Sequence, residues 1–183
     1  MTIARLCLLI LLALPLSLRA EVLDAADNGF TVENRAEVPV SAMAVWKALI
    51  EDVDRWWPKD HSYFGAEGRF RIEPRAGGCF CEKAGEREVQ HLQVSHVDPG
   101  KLLRLLGGLG PLQSMGLHGV LDWQLEALSD KRTRITLRHR VGGYTPNSLQ
   151  SFAPVVDSVQ AIQLGGLAKQ LGGQLLESST HAD

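Results

Sequence analysis

The sequence predicts an α+β domain in which one strand and two short helices are followed by about six antiparallel strands and a long C-terminal helix. Apolar residues recur with a helical period in residues 42–50, alternate with a period of two from residue 65 onward, and become helical again in residues 151–177. Turn-forming sequences such as Asp98-Pro99-Gly100 separate the alternating stretches. The 183 residues suffice for one domain with a hydrophobic core, and they show no internal repeat.

Residues 1–20 have the layout of a secretory signal peptide. Arg5 provides a positive start, residues 6–14 form an apolar run too short to span a bilayer, and Ala20 ends a cleavage-site sequence. We therefore expect a periplasmic or secreted protein with no stable membrane span after cleavage, and an uncleaved membrane anchor is the alternative. Cleavage removes Arg5 and Arg19 and no acidic residue, which takes the formal net charge from −2 to −4. Because the basic residues are interspersed with acids, we expect no nucleic-acid partner.

After a short lead (residues 21–29), the first elements are a strand and two helices. Residues 30–38 alternate loosely, and Ser41 is a good N-cap for a helix over residues 42–50. A second short helical turn follows and ends at Pro58. It carries adjacent tryptophans, Trp56 and Trp57, whose side chains diverge by about 100° on a helix and point to opposite faces on a strand. We expect at least one of them to face a pocket mouth, a covering loop or a partner.

The remaining elements follow from the alternating period. Strands are predicted near residues 69–73, 79–83, 88–97 and 101–106, and the last two strands form a hairpin around residues 129–132. Residues 107–119 contain five glycines and predict a mobile loop that acts as a gate. The final helix is expected to bury a stripe comprising Val155, Val159, Ile162, Leu167, Leu171 and Leu175. Residues 178–183 are expected to form a disordered tail.

In this order the patterns resemble the START-like (SRPBCC, helix-grip) superfamily, which includes polyketide cyclase/dehydrase proteins and heat-shock ATPase activator homologues. The resemblance rests on Glu37-Val38-Pro39-Val40-Ser41 before the first helix, the DVDRWWP stretch, residues 97–102, the Trp123 hairpin and the closing helix, and it covers about residues 30–177. It implies a curved antiparallel sheet of about seven strands wrapped around the long helix. It also implies a cavity for a hydrophobic small molecule or lipid, without a cofactor. In that layout one tryptophan closes the core and the other lines the cavity entrance, unless both are ordinary packing residues.

From these considerations we expect the cavity to be lined by a set of mainly apolar residues: Trp57, Phe64, Phe70, Met115, Trp123, Leu137, His139, Val159 and Ile162. His139 shares a strand face with Leu137 and Val141, so it could orient a ligand or transfer a proton, or it could be a core histidine with a satisfied hydrogen bond. Export favours oxidation of Cys79 and Cys81, whose spacing on a strand requires a bulge to close a disulfide. Two free thiols and a metal site are the alternatives, although no metal-ligand spacing supports the latter.

We see no convincing catalytic constellation in the sequence. There is no nucleophile elbow around a serine and no phosphate-binding glycine loop. An enzyme of cyclase, dehydratase or hydrolase type would have to use His139, with Tyr144 or His118. A third hypothesis is a protein-binding module that works through Trp56 and Trp57.

Overall fold

The computed structural model describes residues 21–177, and the predicted signal peptide and the tail at residues 178–183 lie outside the described residues. The described part is α+β. Its strands are β1 (Glu21–Ala26), β2 (Gly29–Val38), β3 (Arg69–Ile72), β4 (Cys79–Ala84), β5 (Arg87–Asp98), β6 (Leu102–Gly107), β7 (His118–Ser129), β8 (Arg132–Gly142) and β9 (Gln174–Leu175). Its helices are α1 (Ala42–Glu51), α2 (Val53–Trp56), α3 (Pro111–Ser114) and α4 (Ala153–Gln170), and 3-10 turns cover Lys59–His61, Gly65–Glu67 and Leu149–Phe152.

The strands form one antiparallel sheet in the order β1-β2-β8-β7-β6-β5-β4-β3, and β9 pairs with β2. Strands β3 to β8 follow one another as a meander, and the chain closes its topology by pairing β2 with β8 from Gly29–Gly142 to Val38–Thr133. A large antiparallel sheet with a C-terminal helix is consistent with the helix-grip fold. The sheet has nine strands instead of about seven in the described residues, because β1 forms in the predicted lead and β9 follows the last helix.

The long C-terminal helix is shorter than predicted, and its buried face differs from the predicted stripe. Helix α4 ends at Gln170, where the chain turns into β9. Val155 and Ile162 are 61% and 51% exposed. Leu167 is buried as predicted, and the other inner positions are Ala153, Asp157, Gln160, Gln163, Leu164 and Ala168. The prediction followed the large apolar residues, but the first half of the helix turns polar side chains inward.

Both adjacent tryptophans are buried in the same core, and Trp57 also lines a cavity beside it, which is one of the surroundings that we expected. Helix α2 ends at Trp56, and Trp57 takes an extended conformation with φ −71° and ψ 125°. This change of conformation between neighbours lets both rings turn inward, with ring centroids 5.7 Å apart. The indole N–H groups donate to the carbonyls of Ala48 and His61, each at 3.1 Å. A protein-binding surface at Trp56 and Trp57 is therefore ruled out.

Two hydrophobic clusters hold the domain together. The larger one packs α1, α2 and the second half of α4 on the sheet around Trp123. The smaller one includes Phe30, Val32, Leu112, Leu149 and Ala153. It packs the loop that carries α3 and the start of α4 against β2 and β8. The predicted glycine-rich gate thus contains a short helix, α3, anchored by buried Leu112. Among the described residues, none of the helices has the length and apolarity needed to cross a membrane.

Candidate functional site

A cavity of about 630 Å³ lies where the first half of α4, the segment after α2 and the loop that carries α3 meet the sheet. This volume is within the range of small-molecule sites. Residues of both hydrophobic clusters contact it. Its apolar lining residues are Trp57, Leu109, Pro111, Leu112, Met115, Phe152, Val155, Val156 and Val159.

Several polar residues of the lining have buried side-chain atoms without a hydrogen-bond partner in the described residues. Within residues 21–177, six buried side-chain nitrogen or oxygen atoms of the lining have no hydrogen-bond partner: His61 Nδ1, His91 Nδ1, both ring nitrogens of His139, Gln160 Oε1 and Gln163 Oε1. A seventh atom of this kind, Glu33 Oε1, lies away from the cavity and is ion-paired with Arg35. Buried polar atoms are normally hydrogen-bonded. All five residues line one apolar cavity, which makes it the candidate site for a molecule with hydrogen-bonding groups.

His139 is placed in this wall by β8. In the sheet it lies between Val32 of β2 and Leu121 of β7, which are both fully buried. Burial among these apolar neighbours lowers the pKa of His139 to about 4. At neutral pH the ring is therefore uncharged, and it offers one N–H donor and one nitrogen lone pair. Its ring nitrogens have no hydrogen-bond partner in the part of the chain that the structure describes, and it lines the cavity, as predicted from its strand face.

His91 and Glu82 form a second polar pair at the cavity wall. The Nε2 atom of His91 lies 3.1 Å from Glu82 Oε2, and both side chains are almost completely buried. The carboxylate also accepts hydrogen bonds from the Ser62 hydroxyl and from the backbone N–H groups of Tyr63 and Phe64. Burial opposes the ionisation of Glu82, but these donors outweigh it and lower its pKa. The pair thus combines a fixed buried carboxylate with an imidazole that lines the cavity.

A hydrogen bond at the surface joins two segments that line the cavity. The Tyr63 hydroxyl donates to the Gly110 carbonyl at 2.9 Å. This hydrogen bond joins the segment after α2 to the loop that carries α3, and both line the cavity. Tyr63 is half-exposed, so the contact lies at the surface.

The structure brings four of the nine predicted lining residues to the cavity: Trp57, Met115, His139 and Val159. Phe70, Trp123 and Leu137 belong to the larger core cluster instead. Ile162 is exposed on the outer side of α4, because the helix presents its glutamines inward. Phe64 lies outside the lining, with the Arg87 guanidinium 5.0 Å from its ring centroid. Tyr144 and His118, the suggested partners of His139, are exposed and do not line the cavity.

Cys79 and Cys81 are joined by a disulfide in β4, with their Cα atoms 5.4 Å apart. This is shorter than the rise of about 6.6–6.8 Å over two residues of a regular strand. The register between β4 and β5 shifts at this point, where Phe80 faces Leu92 and Cys81 faces Gln90. The bulge therefore lies at His91 of the facing strand. The described residues contain no group of three or more histidine, cysteine or acidic side chains that could hold a metal ion.

Sequence reasoning missed Glu82, His91, His61, Gln160 and Gln163. Glu82 and His91 stood in predicted strands as ordinary polar positions, and only the bulge turns His91 inward. The two glutamines carried a signal that was available, since they are three residues apart and flank the apolar stripe on α4. A helix with a polar inner face is a departure from binary patterning, and such a departure is typical of a site.

No protein-family model and no curated protein matches the chain. Solved structures share its fold. DynU16, a protein of the dynemicin biosynthetic locus, is 20% identical with a TM-score of 0.56 over 78% of this chain and 47% of its own, so this chain spans about half of its length. A protein from Rhizobium leguminosarum is 14% identical with a TM-score of 0.57, over 79% and 95% of the two chains. The hypothetical protein jhp0584 from Helicobacter pylori is 17% identical with a TM-score of 0.53, over 93% and 99%. At these identities the likeness shows the fold alone.

Proposed function

We propose that this protein binds a hydrophobic small molecule or lipid with hydrogen-bonding groups in the cavity under α4. The observation that carries the proposal is the set of unpaired polar atoms on His61, His91, His139, Gln160 and Gln163 in an otherwise apolar cavity. An apolar wall favours the body of a ligand, and a few placed polar groups set its orientation.

The energetics point the same way. A buried polar group without a partner costs about 1–3 kcal/mol. Several such groups in one cavity form a large fraction of the about 5–15 kcal/mol by which a typical domain is stable. A ligand that supplies hydroxyl or carbonyl groups removes this cost on binding. It also removes apolar surface from water, worth about 25 cal/mol for each Å².

The proposal includes the compartment and the family. The sequence of residues 1–20 supports export to the periplasm or the outside of the cell, and the Cys79–Cys81 disulfide is of a kind that persists there. Membership of the START-like superfamily is supported by the order of sequence patterns and by the sheet-and-helix architecture. The compartment is tested by asking whether the protein is recovered from the exported fraction.

The direct experiment is native mass spectrometry of protein purified from that fraction, followed by solvent extraction. A defined mass that leaves on extraction identifies the ligand class. Protein that carries nothing, under conditions that preserve weak complexes, argues against a carrier role.

A second experiment places binding in the cavity without knowledge of the ligand. The fluorescent dye anilinonaphthalene sulfonate is titrated into the extracted protein and into two variants on α4. Val159→Trp fills the cavity and should weaken dye binding by at least about tenfold, which is about 1.4 kcal/mol. Ile162→Trp adds the same ring to the exposed side of the same helix and should bind like the parent. Equal affinities in the two variants contradict cavity binding.

A further inference from the structure

We infer that Glu82 and His91 form a proton-transfer pair, in which His91 Nδ1 removes a proton from a carbon next to a carbonyl group of the bound molecule. The inference rests on the proposed function, because it needs a ligand in the same cavity. It adds a reaction, the isomerisation of an enolisable ketone with an apolar body, to a cavity that has so far been described as a binding site.

The carboxylate is built to stay ionised and fixed. Glu82 is completely buried, and its Oε1 accepts from the Ser62 hydroxyl and the Phe64 N–H. Its Oε2 accepts from the Tyr63 N–H at 3.0 Å and pairs with His91. An ionised carboxylate in a protein interior is costly unless it is paired and hydrogen-bonded. Here four partners hold it in one orientation.

The carboxylate fixes the tautomer of His91. A carboxylate only accepts hydrogen bonds, so Nε2 of His91 must carry the proton of this pair, and Nδ1 of the neutral ring carries the lone pair. Nδ1 is buried and has no hydrogen-bond partner in the described part of the chain. Burial lowers the pKa of His91 more than the Glu82 carboxylate raises it, so the ring is neutral near pH 7 and able to accept a proton.

Packing fixes the orientation of the ring. The imidazole stacks on Phe70 at a centroid distance of 5.5 Å, with Phe80 at 5.2 Å and Tyr63 at 5.6 Å. The β-bulge places His91 as the extra residue of β5 between the positions paired with Phe80 and Cys81. Bulges re-aim side chains and are common beside active sites. The ring is therefore held against the cavity by its strand, its carboxylate and three aromatic rings.

The reaction balances without an oxidant, reductant or metal ion. Nδ1 takes the proton from the carbon, the electrons of the C–H bond move into the enolate, and the negative charge collects on the carbonyl oxygen. The imidazolium that forms is stabilised by the Glu82 carboxylate. The N–H of neutral His139 and the side-chain amides of Gln160 and Gln163 line the same cavity and can donate to the oxygen. In a β,γ-unsaturated ketone the enolate is conjugated with the carbon–carbon double bond, so return of the proton to the γ-carbon shifts that double bond and releases the conjugated isomer.

The competing explanation is that Glu82 only anchors residues 62–64 to the sheet. The two explanations differ in what Glu82→Gln does. The other partners of Glu82 are all donors, so the glutamine amide can still accept from His91 Nε2 through its oxygen, but it carries no negative charge. The imidazolium that forms on proton transfer then loses its stabilisation, and an anchoring role alone predicts no such loss of proton transfer.

The test uses nitrobenzisoxazole, a small apolar probe that needs only a base. Removal of its carbon-bound proton breaks the N–O bond and releases a coloured cyanonitrophenolate. We expect turnover above that in buffer, and a drop in kcat/KM on the order of 100-fold in both Glu82→Gln and His91→Phe. His91→Phe preserves the ring stack, and His96→Phe on the same strand, where His96 is exposed, is the matched control and should react like the parent. Thermal melting and dye binding establish that each variant is folded with an intact cavity.

The pH profile separates a base from a positioning effect. In the parent, kcat/KM should rise through a single ionisation below about pH 6.5 and then stay level. The other titratable groups near His91 are Glu82 on β4, Tyr63, His61, Asp60 and Lys59 in the segment after α2, and His139 on β8. The rising limb should persist in His139→Leu and move to lower pH in Glu82→Gln, because the carboxylate that raises the pKa of His91 is lost.

The outcomes distinguish the two proposals. If the dye and the probe bind and turnover equals that of buffer or of His91→Phe, the proton-transfer pair is overturned and the binding function stands. If neither binds, both proposals fall, because the reaction needs an occupied cavity. Turnover that depends on His91 and Glu82 supports both.

Discussion

Because the His139 imidazole is buried, we predict that its protonation in the unfolded chain lowers the free energy of unfolding in acid. The side chain is almost completely buried between Val32 and Leu121, and its pKa in the folded protein is about 4. In the unfolded chain a histidine has a pKa of about 6.5. Between these two values the unfolded state binds the proton and the folded state does not, so the free energy of unfolding rises with pH across this window and is level above it.

The size of the effect follows from the two pKa values. Full protonation of the unfolded chain against a neutral folded ring lowers the free energy of unfolding by about 3 kcal/mol, since each unit of pKa difference is worth about 1.4 kcal/mol. Between about pH 7 and about pH 4.5 the loss from His139 is about 2 kcal/mol. Other groups lose stability in acid as well, because the carboxylates of Asp54 and Glu82 have lowered pKa values and His91 is also held neutral.

His139→Leu isolates the contribution of the one ring. Urea unfolding, followed by tryptophan fluorescence, is measured for the extracted parent and the variant at both pH values. The acids and His91 contribute equally to both proteins, so the parent should lose about 2 kcal/mol more than the variant on acidification. Equal losses would mean that the folded protein protonates His139 at its ordinary pKa, and therefore that water and not an apolar wall surrounds the ring.

Three further predictions concern packing and the disulfide. Trp123→Ala should lower the free energy of unfolding on the order of 3–5 kcal/mol in urea titrations, since Trp123 is fully buried against Trp56 at 5.5 Å; an unchanged midpoint would contradict its place in the core. Gly166→Ala should cost about 1–3 kcal/mol because the new Cβ would lie 2.3 Å from the Trp56 carbonyl oxygen, whereas Gly165→Ala on the same helix meets Leu175 at 3.6 Å and should be tolerated. Intact protein from the exported fraction should be about two daltons lighter than its reduced form, and reduction of so small a ring should cost about 1–2 kcal/mol; a mass that reduction leaves unchanged would show two free thiols.

Strongly periodic elements could be predicted from the sequence because their burial follows a simple rule. The hairpin of β7 and β8 alternates over more than ten residues, and α1 has both an N-cap hydrogen bond from Ala44 to Ser41 and a buried stripe. Strand β9 has two residues, too few to show a period. Strand β1 reads EVLDAA, in which apolar and polar residues do not alternate. These strands form because β2 offers them a partner, which is tertiary information.

The prediction missed the shared core of Trp56 and Trp57 for a different reason. It treated the two residues as members of one regular element, whereas α2 ends between them. The position of a helix end depends on the surrounding packing, here on Gly166 of α4, whose lack of a side chain lets the Trp56 carbonyl approach. A local pattern around residues 52–60 does not contain that contact.

The candidate site was the least predictable part because it departs from the patterns on which prediction relies. The second half of α4 obeys binary patterning, with Leu164, Leu167 and Ala168 buried on the core. In the first half the inner positions are Asp157, Gln160 and Gln163. The departure coincides with the stretch that lines the cavity, as expected where function is favoured over stability.

The polar residues on the inner face of α4 fall into two groups, one hydrogen-bonded within the protein and one lining the cavity. Asp157 is satisfied within the protein, since the Asn34 side-chain amide donates to its Oδ1 at 2.8 Å. One turn later, the Oε1 atoms of Gln160 and Gln163 are buried without a partner among residues 21–177. The contact of α4 with β2 requires a polar side chain only at Asp157. For stability alone, leucine would be better than glutamine at positions 160 and 163, because it removes an unsatisfied group and fills space. The proposed ligand would account for both glutamines, because a molecule in the cavity could complete their hydrogen bonds.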